Sequence, residues 1–128
     1  MQPNNKGLSH LTAATRYSIQ GLRVMWQETA FRQELFTGVV ALPAIWLVMP
    51  FIGHGVSLQW RVFLTVLWLM LPTMEIVNTA IEKVVNLVSP DFHPLAGQAK
   101  DLGSAAVFCA CVANVIGWLA TLVLLFMG

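Results

Sequence analysis

The chain is 128 residues long, 57 % hydrophobic and only 10 % charged, with a formal net charge of +1. A soluble domain carries about 25 % charged residues, and one this small buries too modest a share of its area to hide so much apolar surface. Composition therefore excludes an ordinary soluble fold, and the near-neutral charge, with no arginine-rich stretch, excludes nucleic acid as a partner.

In chain order, the first segment is Leu8 to Glu34. Leu8, Leu11, Ala14, Ile19, Leu22, Met25, Trp26 and Phe31 recur at spacings near three and four, with Arg16, Gln20, Arg23, Gln27 and Glu28 largely between them. The pattern predicts an amphipathic helix over about residues 8–30 lying in the membrane interface. A secretory signal is not expected, because its apolar run would fall inside this mixed, charged stretch.

Three apolar runs follow: Leu35 to Ile52, Val62 to about Ile81 with the single acid Glu75, and Leu102 to Met127. About twenty residues cross a hydrocarbon core, so three transmembrane helices are predicted at about 35–52, 60–85 and 100–127. The fold class expected is an all-α membrane protein forming one domain over residues 1–128. Gly53-His54-Gly55 marks the first connector, and Ser89-Pro90-Asp91-Phe92-His93-Pro94 the second. Pro43 and Pro72 lie inside runs and predict kinks. Cys109 and Cys111 stand two apart in an apolar helix, pointing in different directions, so no disulfide between them is expected.

Basic residues set the expected orientation. Lys6, Arg16, Arg23 and Arg32 precede the first span and Lys83 and Lys100 bracket the second connector, whereas Arg61 alone borders the first. The N-terminus and the second connector are thus expected in the cytoplasm.

The chemistry is concentrated in Glu75-Ile76-Val77-Asn78-Thr79-Ala80-Ile81-Glu82. At about 100° per residue, Glu75, Asn78, Glu82 and Asn86 fall in one stripe roughly 80° wide. An ionisable group at membrane depth costs several kcal/mol unless paired or hydrated. Helix-to-helix hydrogen bonding, worth about 0.6 kcal/mol per contact, is too small a return for two carboxylates. The stripe therefore implies a wet cleft or a bound cation. Carboxylates with an amide are hard oxygen ligands suited to Mg²⁺, and His10, His54 and His93 are too dispersed for a soft metal. Lys100, beside Asp101 at the start of the third span, stands where a helix N-terminus can hold phosphate; a lipid-headgroup anchor is the plainer role. The chain has neither a G-x-x-x-x-G-K-[ST] loop nor the glycine loop of soluble kinases.

With these residues in view, the chain resembles the small prokaryotic diacylglycerol kinases, a family that includes undecaprenol kinases. The matching segments are Ala30-Phe31-Arg32-Gln33-Glu34, Glu75 to Glu82 as quoted, and Ala99-Lys100-Asp101-Leu102-Gly103-Ser104-Ala105-Ala106-Val107, with Tyr17-Ser18 and Gly21-Leu22-Arg23. The resemblance implies a homotrimer in the bacterial cytoplasmic (inner) membrane, with active sites shared between subunits. It implies transfer of the ATP γ-phosphate to the hydroxyl of diacylglycerol, giving phosphatidic acid. By position it implies Glu75 as general base and Glu28 and Glu82 as holders of Mg²⁺ with the nucleotide. Asn78 would support the carboxylates, Lys100 and Asp101 would contact ATP, and Tyr17, Asp91, Phe92 and His93 would lie near the nucleoside. Arg23, Trp26, Phe31, Arg32, Glu34, Ser104 and Trp118 would border the lipid acceptor. The chain departs from the family pattern at Asn86, Gln98, His10 and Pro72. Undecaprenol is the alternative acceptor; a small transporter or channel lined by Glu75 and Glu82 is the non-enzymatic alternative.

Overall fold

The computed structural model describes residues 6–52, 56–89, 91 and 93–127. Four helical stretches, with no strand among the described residues, make up the fold: α1 (Lys6–Met25), α2 (Thr29–Ile52), α3 (Leu58–Val88) and α4 (Pro94–Met127). The last three are each long and apolar enough to cross a membrane. Their outward faces carry exposed Val39, Val40, Phe51, Val66, Leu119 and Phe126, a surface that calls for lipid rather than water. The Gly53-His54-Gly55 connector, Pro90 and Phe92 lie outside the described residues.

The first helix ends at Met25, short of the expected residue 30, and α2 begins at Thr29, ahead of the uncharged run. Glu28 causes the break: its backbone is extended, at φ −79° and ψ 128°. Arg32 braces the turn, donating to the Trp26 carbonyl at 3.3 Å and to Thr29 Oγ1 at 3.2 Å. Met25 and Phe31 are buried on either side of it.

Proline shapes α2. Beyond Pro43 the helix widens into a π turn over Ala44–Val48 before closing again at Met49–Ile52, the kind of local expansion expected where a ring disturbs the i→i−4 ladder. Pro72, in contrast, is accommodated inside an unbroken α3. Ser57 starts that helix by accepting the Trp60 backbone N–H at 3.2 Å, a standard N-cap.

The bundle is held by a seam of small residues. On α4 the buried positions are Gly103, Ala110, Asn114, Gly117 and Thr121, spaced by sevens, fours and threes as in a coiled-coil stripe. They let α3 approach closely: a Cβ on Gly117 would run into Leu67 and Leu64, and one on Gly103 into Asn78. Polar bonds fasten the same antiparallel register. Trp60 Nε1 donates to Thr121 Oγ1 at 2.8 Å, and Asn114 Nδ2 to the Leu67 carbonyl at 2.7 Å. Helix α2 is fastened to α3 by Trp68 Nε1 donating to Thr37 Oγ1 at 3.2 Å and Trp46 Nε1 donating to Thr65 Oγ1 at 3.0 Å. At the end remote from Glu28, Ile45, Met49, Val56 and Leu64 form the apolar core, with Trp60, Trp118, Leu124 and Leu125 packed on it. Both cysteines are free, as their spacing implied.

Candidate functional site

The stripe on α3 forms as the helical period requires. Asn78 Nδ2 donates to Glu82 Oε1 at 3.2 Å, one turn on. The other end of the Asn78 amide points into the α3–α4 seam, against the bare backbone of Gly103. There Oδ1 is buried and without a hydrogen-bond partner.

Glu75 is half-buried one turn earlier. Three other carboxylates lie within its electrostatic reach: Glu34 from α2, Glu28 from the turn before it and Glu82 from its own helix. Glu34 Oε2 is buried and has no hydrogen-bond partner. Close like charges repel strongly in a medium of low dielectric constant, so the cluster favours a cation. One is present within the chain: Lys83 Nζ lies 3.3 Å from Glu28 Oε1. Both side chains are well exposed, at 54 % and 40 %, so the pair contributes about 0–1 kcal/mol and leaves Glu28 open to exchange.

The donor set is all oxygen. No group of three or more His, Cys, Asp or Glu side chains is placed to enclose a metal ion among the described residues. A divalent cation at this cluster would take one or two carboxylates and complete its shell with phosphate and water, which is the coordination habit of Mg²⁺. The buried unpartnered oxygen of Glu34 fits such a cation-rich surrounding better than a dry one.

A second feature adjoins the stripe where α3 ends and α4 begins. Val85, Asn86, Ser89, Asp91, His93, Ala96, Gly97 and Lys100 line a cleft of about 220 Å³. At its rim Ser89 Oγ donates to the Asp91 carbonyl at 3.1 Å, and the Leu95 N–H donates to His93 Nδ1 at 3.2 Å as α4 opens. Pro94 occupies the first helical position, where its missing N–H costs nothing. The cleft thus gathers a lysine, a carboxylate, an amide and an imidazole around a helix N-terminus.

The sequence-expected residues divide accordingly. Glu28, Glu34 and Glu82 lie within electrostatic reach of Glu75, Asn78 is bonded to Glu82, and Asp91, His93 and Lys100 share the cleft. Asp101 and Ser104 are exposed on α4 nearby. Tyr17 is exposed on α1, and Arg23 shares an open groove there with Arg16. Trp26 is exposed, Phe31 is buried, and Arg32 is engaged in bracing the turn. Trp118 stands apart: it packs on the remote apolar core, about 20 Å along α4 from Ser104 at 1.5 Å per residue. Phe92 lies outside the described residues. Three positions were not singled out as site residues from sequence. Lys83 enters the sequence reading only through orientation, Asn86 through the stripe and as a departure from the family pattern, and Gly103 gives no sign of its contact with Asn78 until α3 and α4 are put in register.

Comparison with known proteins identifies this architecture. The sequence profile described as prokaryotic diacylglycerol kinase matches residues 16–122. A Sinorhizobium sp protein named diacylglycerol kinase is 39 % identical over 122 residues, covering 95 % of this chain and 83 % of its own. The Escherichia coli (strain K12) diacylglycerol kinase is 39 % identical over 119 residues, covering 92 % and 93 %. The Pseudomonas aeruginosa diacylglycerol kinase is 37 % identical over 119 residues, covering 92 % and 91 %. With the carboxylates, the cleft and most of the three membrane-length helices lying inside the matched region, the chain belongs to the prokaryotic diacylglycerol kinase family.

Proposed function

We propose that the chain is an ATP-dependent lipid kinase that phosphorylates the hydroxyl of diacylglycerol, giving phosphatidic acid and ADP at the cytoplasmic face of the bacterial inner membrane. The observation that carries the reading is that Glu28, Glu34 and Glu82 lie within electrostatic reach of Glu75, on a helix whose end borders a cleft that holds Lys100. A diacylglycerol hydroxyl sits near the headgroup boundary and ATP stays in water, so their reaction needs acid–base and phosphate-binding groups at one membrane surface.

In this reading Glu75 accepts the hydroxyl proton as the lipid oxygen attacks the γ-phosphorus. The bond from that phosphorus to the β,γ-bridging oxygen breaks, and ADP leaves. Lys100 neutralises phosphate charge, with Asp101, Asp91, His93 and Tyr17 on the nucleotide side. Asn78 keeps Glu82 from swinging away. Mg²⁺, held by Glu28 and Glu82, would supply further charge neutralisation on the phosphates. Positioning and neutralisation are the main requirements of phosphoryl transfer, and the residues gathered here are of those two kinds.

The apolar residues Leu11, Ile19, Leu22 and Trp26 are exposed on and just beyond α1. This supports a helix that rests in the membrane surface with Arg16 and Arg23 toward the headgroups. Glu82 is exposed on the single chain, and we assign its cover to a neighbouring copy in a homotrimer whose active sites are shared between subunits.

The test is purified protein in a bilayer with Mg²⁺ and γ-labelled ATP, offered diacylglycerol and undecaprenol separately. Label is expected on diacylglycerol. Label on undecaprenol alone would refute the acceptor assignment, and normal turnover by Glu75→Gln would refute the general base. Crosslinking that stops at a dimer would refute the trimer.

A further inference from the structure

Two unusual residues of the membrane-spanning region lie on the facing helices α3 and α4. Pro72 is buried in α3, three residues before Glu75. It has no N–H for the Trp68 carbonyl, and its ring crowds the turn below. Water cannot repair such a turn in a bilayer, so a neighbouring helix has to. On the facing helix, Asn114 is the one amide side chain in the run Leu102 to Met127. It is 8 % exposed. Its Nδ2 donates to the Leu67 carbonyl of α3 at 2.7 Å and to the Ala110 carbonyl of its own helix at 3.0 Å. Both amide hydrogens are thus spent on backbone, and one of them falls on the Leu67 carbonyl, next to the Trp68 carbonyl that Pro72 leaves without its helical donor.

Every polar residue of the stripe lies beyond that turn. Glu75, Asn78 and Glu82 follow Pro72 on the same helix, so the direction in which α3 leaves the proline sets where all three stand relative to Glu28 and Glu34. A weakened turn has two soft outcomes, straight or bent. A donor fixed to α4 and bonded to Leu67 removes that freedom. We propose that Asn114 is a positioning residue for phosphoryl transfer: it acts through the Leu67 carbonyl to hold the Pro72 turn in the one geometry that delivers Glu75 to its partners. The proposal rests on the kinase reading above. It predicts an interdependence of two residues that a simple interhelical hydrogen bond would not produce, since a straight α3 with a donor at position 72 has no need of the clamp.

The experiment compares the unaltered protein, Asn114→Leu, Pro72→Leu and the double variant, all in bilayers. Readouts are kcat and KM per folded protein and hydrogen exchange of the α3 amides near residues 69–76. Asn114→Leu is expected to lower kcat about tenfold with KM for ATP nearly unchanged, and to speed exchange at those amides. Adding Pro72→Leu is expected to restore the slow exchange and most of kcat. Unchanged kcat and exchange in Asn114→Leu overturn the proposal, as does a loss that Pro72→Leu does not relieve. If Asn114→Leu does not assemble, Asn114→Ala carries the same comparison. If the unaltered protein phosphorylates no lipid, the kinase reading fails, and the exchange data still decide whether Asn114 clamps the Pro72 turn.

Discussion

Asn78 Oδ1 rests against the backbone of Gly103, in a space that any side chain at residue 103 would fill. The same amide holds Glu82 through its nitrogen. One helix contact therefore fixes the aim of a carboxylate one turn away. Gly103→Ala should turn Asn78 aside without unfolding the bundle, because the displaced atom is the end of a side chain. Turnover is expected to fall at least tenfold, about 1.4 kcal/mol, with helicity and melting little changed. Wild-type turnover in that variant would show that Asn78 does not need its present orientation.

Lys83 occupies Glu28 with a cation supplied by the chain itself. Lys83→Ala removes a competitor for that carboxylate. The Mg²⁺ concentration for half-maximal turnover is expected to fall about two- to fivefold, the scale of an exposed ion pair. Binding of Mn²⁺ followed by electron spin resonance gives the same comparison without turnover. A higher requirement for metal would mean that Lys83 assists the site.

Thr121 and Thr37 each accept an indole N–H, but in unlike surroundings. Thr121 is wholly buried, whereas Thr37 is exposed. Thr121→Val strands the Trp60 donor inside the bundle and should cost about 1–2 kcal/mol. Thr37→Val should cost less. Reversible unfolding in mixed micelles measures both, and equal losses would contradict the burial argument.

Gly38 and Gly21 make a second contrast. A Cβ at Gly38 would strike the Trp68 ring, a rigid neighbour, while one at Gly21 meets nothing. Gly38→Ala is expected to destabilise by about 1–3 kcal/mol. Gly21→Ala should stabilise α1 by up to about 1 kcal/mol. The same unfolding assay separates them, and a neutral Gly38→Ala would show that α2 and α3 part easily.

Much of this fold was legible in the residues themselves because lipid imposes a simple rule on composition. The three apolar runs mark three membrane-length helices, and the period of Glu75, Asn78 and Glu82 places them on one face before any neighbour is known. Glu28, however, meets Lys83 across fifty-five positions of sequence, a pairing that only the turn at residues 26–28 creates. Asn114 reads in sequence as a lone polar residue in an apolar run. Its partner is a backbone carbonyl, and backbone carbonyls carry no sequence signature. Helix ends were also blurred: hydropathy sees where charge stops, but the extended Glu28 and the capping Ser57 decide where hydrogen bonding starts.

The three indole-to-threonine bonds give the molecule an internal optical gauge. Trp46, Trp60 and Trp68 each end on a hydroxyl of a different helix turn, so any sliding or parting of the spans alters the polarity seen by an excited indole. Any such movement is thereby written into the protein's own ultraviolet emission, and no dye need be attached to follow it.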